Sequence, residues 1–213
     1  MFQKLIEWII LHGGLYMLLL VIFAETGLFV GFFLPGDSLL FAAGIYLQNL
    51  STQFFNVHYT VVILIITLAS ILGNFVGYWF GAKYGHKLYE KEDTLLFKKK
   101  HLVKAHDFYE RYGKSTVFLS KFLPIIRTFV PIVAGMVDMN KKDFALFNIM
   151  GSFVWVFSMM LGGHFLQRLF EEQYHYSLKD HIEVITIGII LVTTLPVLYK
   201  MFFGKKEEET PAK

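Results

Sequence analysis

The stretch FLSKFLPIIRTFVPIVAGM, residues 118–136, decides how this chain can fold. It is almost wholly apolar, yet it carries two cations, Lys121 and Arg127, and two prolines, Pro124 and Pro131. A cation at mid-bilayer costs about 3 kcal/mol on insertion scales, and each proline removes a backbone donor and frees a carbonyl. Lipid satisfies neither group, so such backbone needs surrounding protein or a water-filled cavity. The stretch therefore predicts a helix that enters the membrane, breaks and turns inside the protein.

A second stretch repeats this pattern in the first half of the chain. Residues 33–44 read FLPGDSLLFAAG, and residues 122–135 read FLPIIRTFVPIVAG. Both have Phe-Leu-Pro, then an ionisable residue, then an apolar run that closes on Ala-Gly. The ionisable residue is an acid in the first stretch, Asp37, and a base in the second, Arg127. The match predicts an internal repeat of broken helices, as expected where a transporter binds its substrate.

Composition places the chain in the membrane. It has 213 residues, 55% of them apolar, and a mean hydropathy of +0.51, whereas only 17% are charged and those cluster. Several uncharged runs reach membrane-spanning length, which predicts an all-α polytopic membrane protein. The absence of cysteine excludes disulfides, thiolate metal sites and cysteine nucleophiles. His86, His101 and His106 match no metal motif, so we expect no metal and no cofactor.

The predicted architecture is an inverted repeat with two opposed re-entrant helical hairpins, about three full transmembrane helices and interfacial amphipathic helices. In the first hairpin, a long arm at 15–34 precedes a break at Pro35-Gly36 and a short arm at 38–47. A single domain covers 15–203. The predicted segments are an interfacial amphipathic helix at 1–14 (alternatively an extension of the next helix), hairpin 1 at 15–49, a transmembrane helix at 61–82, a cytoplasmic amphipathic loop at 83–114, hairpin 2 at 115–138, transmembrane helices at 144–166 and 184–203, and a disordered cytoplasmic tail at 204–213.

Four glycines spaced by four form a stripe at the second half of the predicted helix 61–82. A stripe of small residues lets another helix approach closely, so we interpret it as a packing surface. The glycines are Gly73, Gly77, Gly81 and Gly85.

The distribution of basic residues predicts the topology. Loop 83–114 holds nine Lys or Arg against five Asp or Glu, whereas 48–60 holds no Lys or Arg. Positive charge favours the cytoplasmic side, which predicts 83–114, Lys141-Lys142 and the C-terminus inside. Segments 48–60 and 167–183 then lie outside. The two Phe-Leu-Pro motifs would approach the midplane from opposite faces.

Four ionisable residues fall where the bilayer should be: Glu25, Asp37, Lys121 and Arg127. One interpretation is structural, with two acids of one hairpin neutralising two bases of the other. The other is functional, because charges inside a membrane are costly and usually mark a pathway. The bases can hold a phosphate head group, arginine through its planar fork. Desolvation favours the neutral form of an acid, so either acid can load and release a proton.

Several of these short motifs occur together in a known family. They are Glu25, Pro35-Gly36-Asp37, Ala43-Gly44, Phe122-Leu123-Pro124, Arg127-Thr128, Pro131 and Ala134-Gly135. In this combination, over about residues 10–200, the chain resembles the DedA family of bacterial membrane proteins. That family shares its domain, the VTT or SNARE-associated-Golgi-type domain, with eukaryotic lipid scramblases. Two positions depart from the family pattern. The family typically has arginine where Lys121 stands, and often aspartate where Gly73-Asn74 stands.

The resemblance implies a function in lipid transport. Members are linked to the return of undecaprenyl phosphate across the membrane, and some are thought to move phospholipids. The family's functional acids correspond to Glu25 and Asp37, and its basic pair corresponds to Lys121 and Arg127. Lys121 keeps the charge but lacks the bidentate fork of arginine.

The leading hypothesis is therefore a flippase of lipid phosphate in the bacterial cytoplasmic membrane and cell envelope, driven by the proton motive force. Its expected partners are undecaprenyl phosphate or a phospholipid, protons and membrane lipids, with no nucleic acid; assembly with further copies of the chain stays open. The alternative is a proton- or sodium-coupled antiporter of small cations or drugs, which needs the acids but not the bases. A structural scaffold is a third interpretation. We expect no enzyme activity, because no phosphatase motif surrounds His164 and no ATP-binding glycine loop is present.

Overall fold

The computed structural model describes residues 9–28, 36–53, 55–90, 99–123, 126–174 and Gly188. This part of the chain is helical and contains no strand, as the composition predicts. A π-helical turn (Ile9–Gly13) leads directly into the first helix, and 3₁₀ turns cover Gly113–Ser115 and Ser120–Phe122. The α-helices are α1 (Gly14–Gly27), α2 (Gly36–Ile45), α3 (Leu47–Gln53), α4 (Tyr59–Glu90), α5 (Lys99–Tyr112), α6 (Thr116–Leu119), α7 (Val130–Met136) and α8 (Lys141–Tyr174).

Two helices, α4 and α8, are long and apolar enough to cross a membrane. Their rise of 1.5 Å per residue makes them about 50 Å long, against about 30 Å for the hydrocarbon core. These helices cover the segments 61–82 and 144–166 that were predicted to be transmembrane helices, and both continue further than expected. Their crossing of a membrane stays a prediction. α4 extends to Glu90 because no proline interrupts the first residues of the predicted loop 83–114. The third predicted span, 184–203, lies outside the described residues apart from Gly188.

The two long helices run antiparallel. The Tyr59 and His164 rings stack at 5.6 Å, the Ser70 and Ser152 hydroxyls lie 3.3 Å apart, and Phe75 meets the ring of Phe144 at 5.4 Å. Residue numbers thus rise along α4 while they fall along α8. We call the two extremes of this pair the His164 end and the Phe144 end, and Ser70 and Ser152 mark its middle.

The surfaces of α4 and α8 have the polarity that lipid requires. Their outward side chains are large and apolar, whereas small polar side chains point into the bundle. Leucines spaced by four lie on the exposed side of α4, and Ser70 and Ser152 are fully buried. Lipid cannot accept hydrogen bonds, so polar groups of membrane proteins turn towards other helices. The exposed leucines of α4 are Leu64, Leu68 and Leu72.

The start of α1 and the end of α2 both lie at the His164 end of the bundle. Gly14, at the start of α1, lies beside Gln53, and Thr26 near its end donates to the Ser70 carbonyl at 3.3 Å. α2 then packs along α8 back towards Gly163. The described arms therefore reach the middle of the bundle and return to the same end.

The first arm is shorter than the predicted 15–34. α1 ends at Gly27, and Leu28 has an extended backbone. Gly27 lies directly against the backbone of Gly73, where a Cβ atom would overlap the neighbouring carbonyl. The predicted tip, including Pro35, lies outside the described residues. The first residues of the segment 48–60 are not a loop. They belong to the helix α3, in which Leu50 is buried.

The second broken segment, predicted at 115–138, is attached to the Phe144 end. Lys114 pairs with Asp143 at 2.6 Å, and this hydrogen bond raises the pKa of Lys114. Regular helix stops after Phe122 and resumes at Val130, with Pro131 in the first turn of α7. α7 returns along α4 as far as Gly85, against which Met136 packs. Pro124 lies outside the described residues.

The two Ala-Gly pairs of the repeat occupy equivalent places. Gly44 of α2 lies against the backbone of Met160 in α8, and Gly135 of α7 lies against the backbone of Tyr78 in α4. At both crossings a Cβ atom would overlap a carbonyl oxygen of the long helix. In the first broken segment, the second arm is α2, which packs on α8. In the second broken segment, the second arm is α7, which packs on α4. This exchange is what an inverted repeat predicts.

The glycine stripe of α4 lies along this interface. Gly73 faces the end of α1, whereas Gly77, Gly81 and Gly85 face Pro131, Ile132 and Met136 of α7 in turn.

Two apolar clusters flank the middle of the bundle. One surrounds Leu18, Leu40 and Ile63 towards the His164 end, and the other surrounds Phe129 and Val133 towards the Phe144 end. α5, inside the predicted amphipathic loop, packs against the second cluster. The ionisable residues lie between the two clusters.

Candidate functional site

Glu25 enters the centre of the molecule from α1. Its side chain is 1% exposed, and its Oε1 atom accepts a hydrogen bond from Nη2 of Arg127. The neighbouring Thr26 fixes this end of α1, because its hydroxyl donates to the carbonyls of Ile22 and Ser70. The carboxyl group therefore lies near the level of Ser70, at the middle of the contact between α4 and α8.

Asp37 enters from the first turn of α2. Its Oδ1 atom accepts two hydrogen bonds, from Nη1 of Arg127 at 2.6 Å and from the indole Nε1 of Trp155 at 2.8 Å. Gly36 precedes it, and a Cβ atom at this position would overlap the carboxyl group of Glu25. Glycine at the start of α2 thus brings the two acids of the first hairpin together.

Arg127 is the centre of this group. It lies in the turn before α7, is 6% exposed, and pairs with both carboxylates. Its Cζ atom also lies 4.7 Å above the ring of Trp155, within the range of a cation–π contact. Among the described residues, Nε of Arg127 and Oε2 of Glu25 are buried polar atoms without a hydrogen-bond partner.

Lys121 is buried nearby, but it does not join the ion pairs. Its Nζ atom contacts Oδ1 of Asn148 at 3.4 Å, and it makes no ion pair within 4.0 Å among the described residues. Asn148 continues into a buried polar chain, since it accepts from Ser152 at 3.3 Å and donates to the Ile71 carbonyl at 3.2 Å. The ammonium group therefore rests against uncharged oxygens.

The structure brings three of the four predicted site residues into direct contact and places the fourth beside them. The ion pairs join the two broken segments, as the structural interpretation predicts for Arg127, and the functional interpretation stays a prediction. With both acids ionised, Glu25, Asp37 and Arg127 together carry one net negative charge. The positive charge of Lys121 beside them can balance it, and a buried group without net charge is the less costly arrangement.

Sequence reasoning missed the residues that support this group. Trp155 lies in the middle of α8 rather than at an aromatic belt, and Asn148 and Ser152 are polar residues inside an apolar helix. These positions were the available signal, because such residues in a span normally face protein. No group of three or more His, Asp or Glu side chains that could hold a metal occurs within the described ranges.

Comparisons with known proteins connect the sequence of this chain to one family. The family model of the VTT domain matches residues 34–165, more than half of the chain. Protein DedA of Escherichia coli (strain K12) is 39% identical over 197 residues, covering 92% of this chain and 86% of that protein. Inner membrane protein YqjA of the same organism is 30% identical over 200 residues, covering 91% and 88%. An uncharacterized membrane protein of Mycobacterium tuberculosis (strain H37Rv) is 35% identical over 181 residues, covering 85% and 75%.

No solved structure matches the chain. The relatives are bacterial membrane proteins, and the apolar surfaces of α4 and α8 agree with that location. The matched region contains Asp37, Lys121, Arg127 and Trp155, and the alignment with DedA covers nearly the whole chain. The chain is thus a bacterial membrane protein of the DedA family, built on a VTT domain.

Proposed function

We propose that this protein translocates a lipid phosphate, undecaprenyl phosphate or a phospholipid, across the bacterial cytoplasmic membrane, and that protons drive the transfer. The observation that carries the proposal is the position of Arg127. Its guanidinium is buried near the middle of the contact between α4 and α8, and two carboxylates of the other hairpin hold it. It is thereby a strong anion-binding group placed where a head group would cross.

A phosphate group can replace either carboxylate as the hydrogen-bond partner of Arg127. A guanidinium pairs with a phosphate through the same parallel N–H···O bonds that it makes with a carboxylate. When a proton neutralises one acid, its hold on Arg127 weakens, and a phosphate oxygen can take its place. When the proton leaves, the carboxylate competes for Arg127 again and the phosphate is released. This exchange couples proton uptake to head-group binding.

We further propose that the two hairpins are re-entrant and open to opposite sides. Their arms attach to opposite ends of α4 and α8, while Asp37 and Arg127 meet between them. A head group could then approach Arg127 from either side of the membrane without crossing lipid. Lys121 adds a second positive charge beside this path.

Reconstitution in liposomes tests the function. Purified protein with labelled undecaprenyl phosphate should move the label between leaflets, faster under a pH gradient than without one. Arg127→Ala should abolish the movement, whereas Arg168→Ala, which removes an exposed arginine on α8, should leave it unchanged. Equal movement by the wild type and Arg127→Ala would refute the proposal.

The pair of buried carboxylates also favours the alternative, a proton- or sodium-coupled antiporter of small cations or drugs. A cation could take the place of the guanidinium between Glu25 and Asp37. The same liposomes loaded with a pH-sensitive dye separate the two functions. Cation-dependent proton flux that survives Arg127→Ala would favour the antiporter. Neither function assigns a catalytic residue to the chain.

A further inference from the structure

The two acids that hold Arg127 have unequal surroundings. Oδ1 of Asp37 accepts from Nη1 of Arg127 and from Trp155 Nε1, at 2.6 and 2.8 Å. Glu25 accepts from Nη2 alone, and its Oε2 atom has no partner among the described residues. Asp37 is also the more exposed of the two, at 9% against 1%.

These surroundings favour different charge states. Hydrogen bonds donated to a carboxylate stabilise its ionised form, whereas burial stabilises the neutral form. Asp37 has more donors and less burial, so its carboxylate is better stabilised than that of Glu25. Glu25 has one donor, deeper burial and an oxygen with no donor, so it is the acid that takes up a proton, at Oε2.

The charged groups that face Glu25 do not reverse this order. They are Asp37 from α2, Arg127 from the turn before α7, and Lys121 from the turn before the break. The packed stretch of α4, residues 61–77, and all of α3 contain no ionisable side chain. His12, in the preceding turn, is exposed.

The three nitrogen atoms of the Arg127 guanidinium do not all have hydrogen-bond partners. Asp37 holds Nη1, Glu25 holds Nη2, and Nε is buried without a partner among the described residues. Nε and Nη2 lie on one edge of the planar group, which is one of the two edges that bind a phosphate through paired N–H bonds. Among the described residues, only Glu25 contacts that edge, through Nη2.

We propose that protonation of Glu25 frees the Nε–Nη2 edge of Arg127 for two phosphate oxygens, while Trp155 keeps Asp37 ionised and Asp37 holds Nη1 in place. This assigns the exchangeable proton to Glu25, a fixed negative charge to Asp37, and a positioning role to Trp155. It rests on the lipid-phosphate function proposed above. The ring of Trp155 under the guanidinium steadies the same orientation.

Binding of a phosphate probe as a function of pH tests the assignment. The full chain in lipid nanodiscs is titrated with dihexyl phosphate, a phosphodiester that keeps one negative charge throughout. Above the titration of Glu25, wild-type affinity should rise about tenfold for each unit that the pH falls, because one proton is taken up. Glu25→Gln should bind at high pH as tightly as the wild type at low pH, without pH dependence.

Asp37→Asn should keep the wild-type pH dependence, since Glu25 still titrates. A slope that survives Glu25→Gln, or that disappears in Asp37→Asn, would overturn the assignment, as would a wild type without pH dependence. If Glu25→Gln does not accumulate, infrared difference spectra of Asp37→Asn recorded as a function of pH test whether Glu25 takes up the proton. A carboxylic-acid band that titrates in this variant supports the assignment, and its loss contradicts it.

Trp155→Phe tests the positioning role, because it keeps an aromatic ring and loses the N–H donor. Asp37 should then take up a second proton, so the affinity should rise by more than tenfold for each unit that the pH falls. Trp79→Phe is the matched control, since Trp79 is 56% exposed and should follow the wild type. Identical slopes for the two variants would exclude the role of Trp155.

The outcomes separate this inference from the proposed function. A wild-type pH slope with no movement of labelled lipid in liposomes would refute translocation alone. Proton-driven lipid movement with no pH slope in probe binding would refute only the assignment of the proton to Glu25.

Discussion

Arg127 and Lys121 are both buried cations, but among the described residues only Arg127 is held by carboxylates. Arg127→Lys replaces a planar fork with a single ammonium group, which cannot span Glu25, Asp37 and a phosphate together. The loss of one charge-assisted hydrogen bond costs about 1.5–3 kcal/mol, so we expect head-group affinity to fall about ten- to a hundredfold. Native mass spectrometry of the purified variant with undecaprenyl phosphate measures this affinity.

The matched substitution is Lys121→Arg, which we expect to be tolerated. The resemblance to the DedA family implies arginine at this position, and Lys121 packs against Gly151, which has no side chain to obstruct it. An equal loss of lipid binding in both variants would contradict the difference between the two sites.

The two acids are expected to be essential for transport but not for insertion. Glu25→Gln keeps the size and hydrogen bonding of the side chain but cannot cycle a proton, and Asp37→Asn removes the fixed charge opposite Arg127. Each should abolish complementation of a null strain while the protein still accumulates in the membrane. Glu171→Gln, at an exposed position of α8, is the control and should complement fully. Failure of both variants to accumulate would instead favour a purely structural role.

At the scale of elements, the crossing of α2 and α8 depends on close backbone contact. A Cβ atom at Gly163 would overlap the carbonyl of Phe41, whereas a Cβ atom at Gly162 would meet only the Phe41 ring at 3.7 Å. Gly163→Ala should therefore lower the free energy of unfolding by about 1–3 kcal/mol. Gly162→Ala should leave it unchanged or raise it by up to about 1 kcal/mol, because alanine favours the helix.

Thermal denaturation in detergent, followed by size-exclusion chromatography, compares these neighbouring variants. Equal melting temperatures would show that the α2–α8 contact is looser than the structure indicates. Loss of the site in Gly163→Ala is also expected, since α2 carries Asp37.

At the scale of the whole molecule, the antiparallel pair of long helices makes a prediction about topology. Gln53 and Gln173 belong to the His164 end, and Lys142 belongs to the Phe144 end. The basic residues of 83–114 and Lys141-Lys142 favour the cytoplasm for the Phe144 end. In this cysteine-free chain, an impermeant thiol reagent should label Gln53→Cys and Gln173→Cys in intact cells, but Lys142→Cys only after lysis. Labelling of Lys142→Cys in intact cells would reverse the orientation.

The sequence by itself determined the class of the protein and the components of its site. Long apolar runs with clustered charges favour a membrane, and charges beside prolines within such runs need surrounding protein or a water-filled cavity. These are local properties, so α4, α8, the broken segment and the four ionisable residues could all be predicted. The limits of α1, α3 and α4 could not, because helix ends depend on packing such as that of Gly27 against Gly73.

Only the tertiary structure decided which charges meet. Arg127 reaches Asp37 and Glu25 across 90 and 102 positions of sequence, and Trp155 reaches Asp37 across 118. No periodicity extends over such separations, so the sequence could not show which of Lys121 and Arg127 meets the acids. The fold distinguishes them, because the turn before α7 places Arg127 between the two acids. The turn before the break leaves Lys121 against Asn148. The physical reason is that a buried charge takes its properties from its nearest partners, and long-range packing chooses those partners.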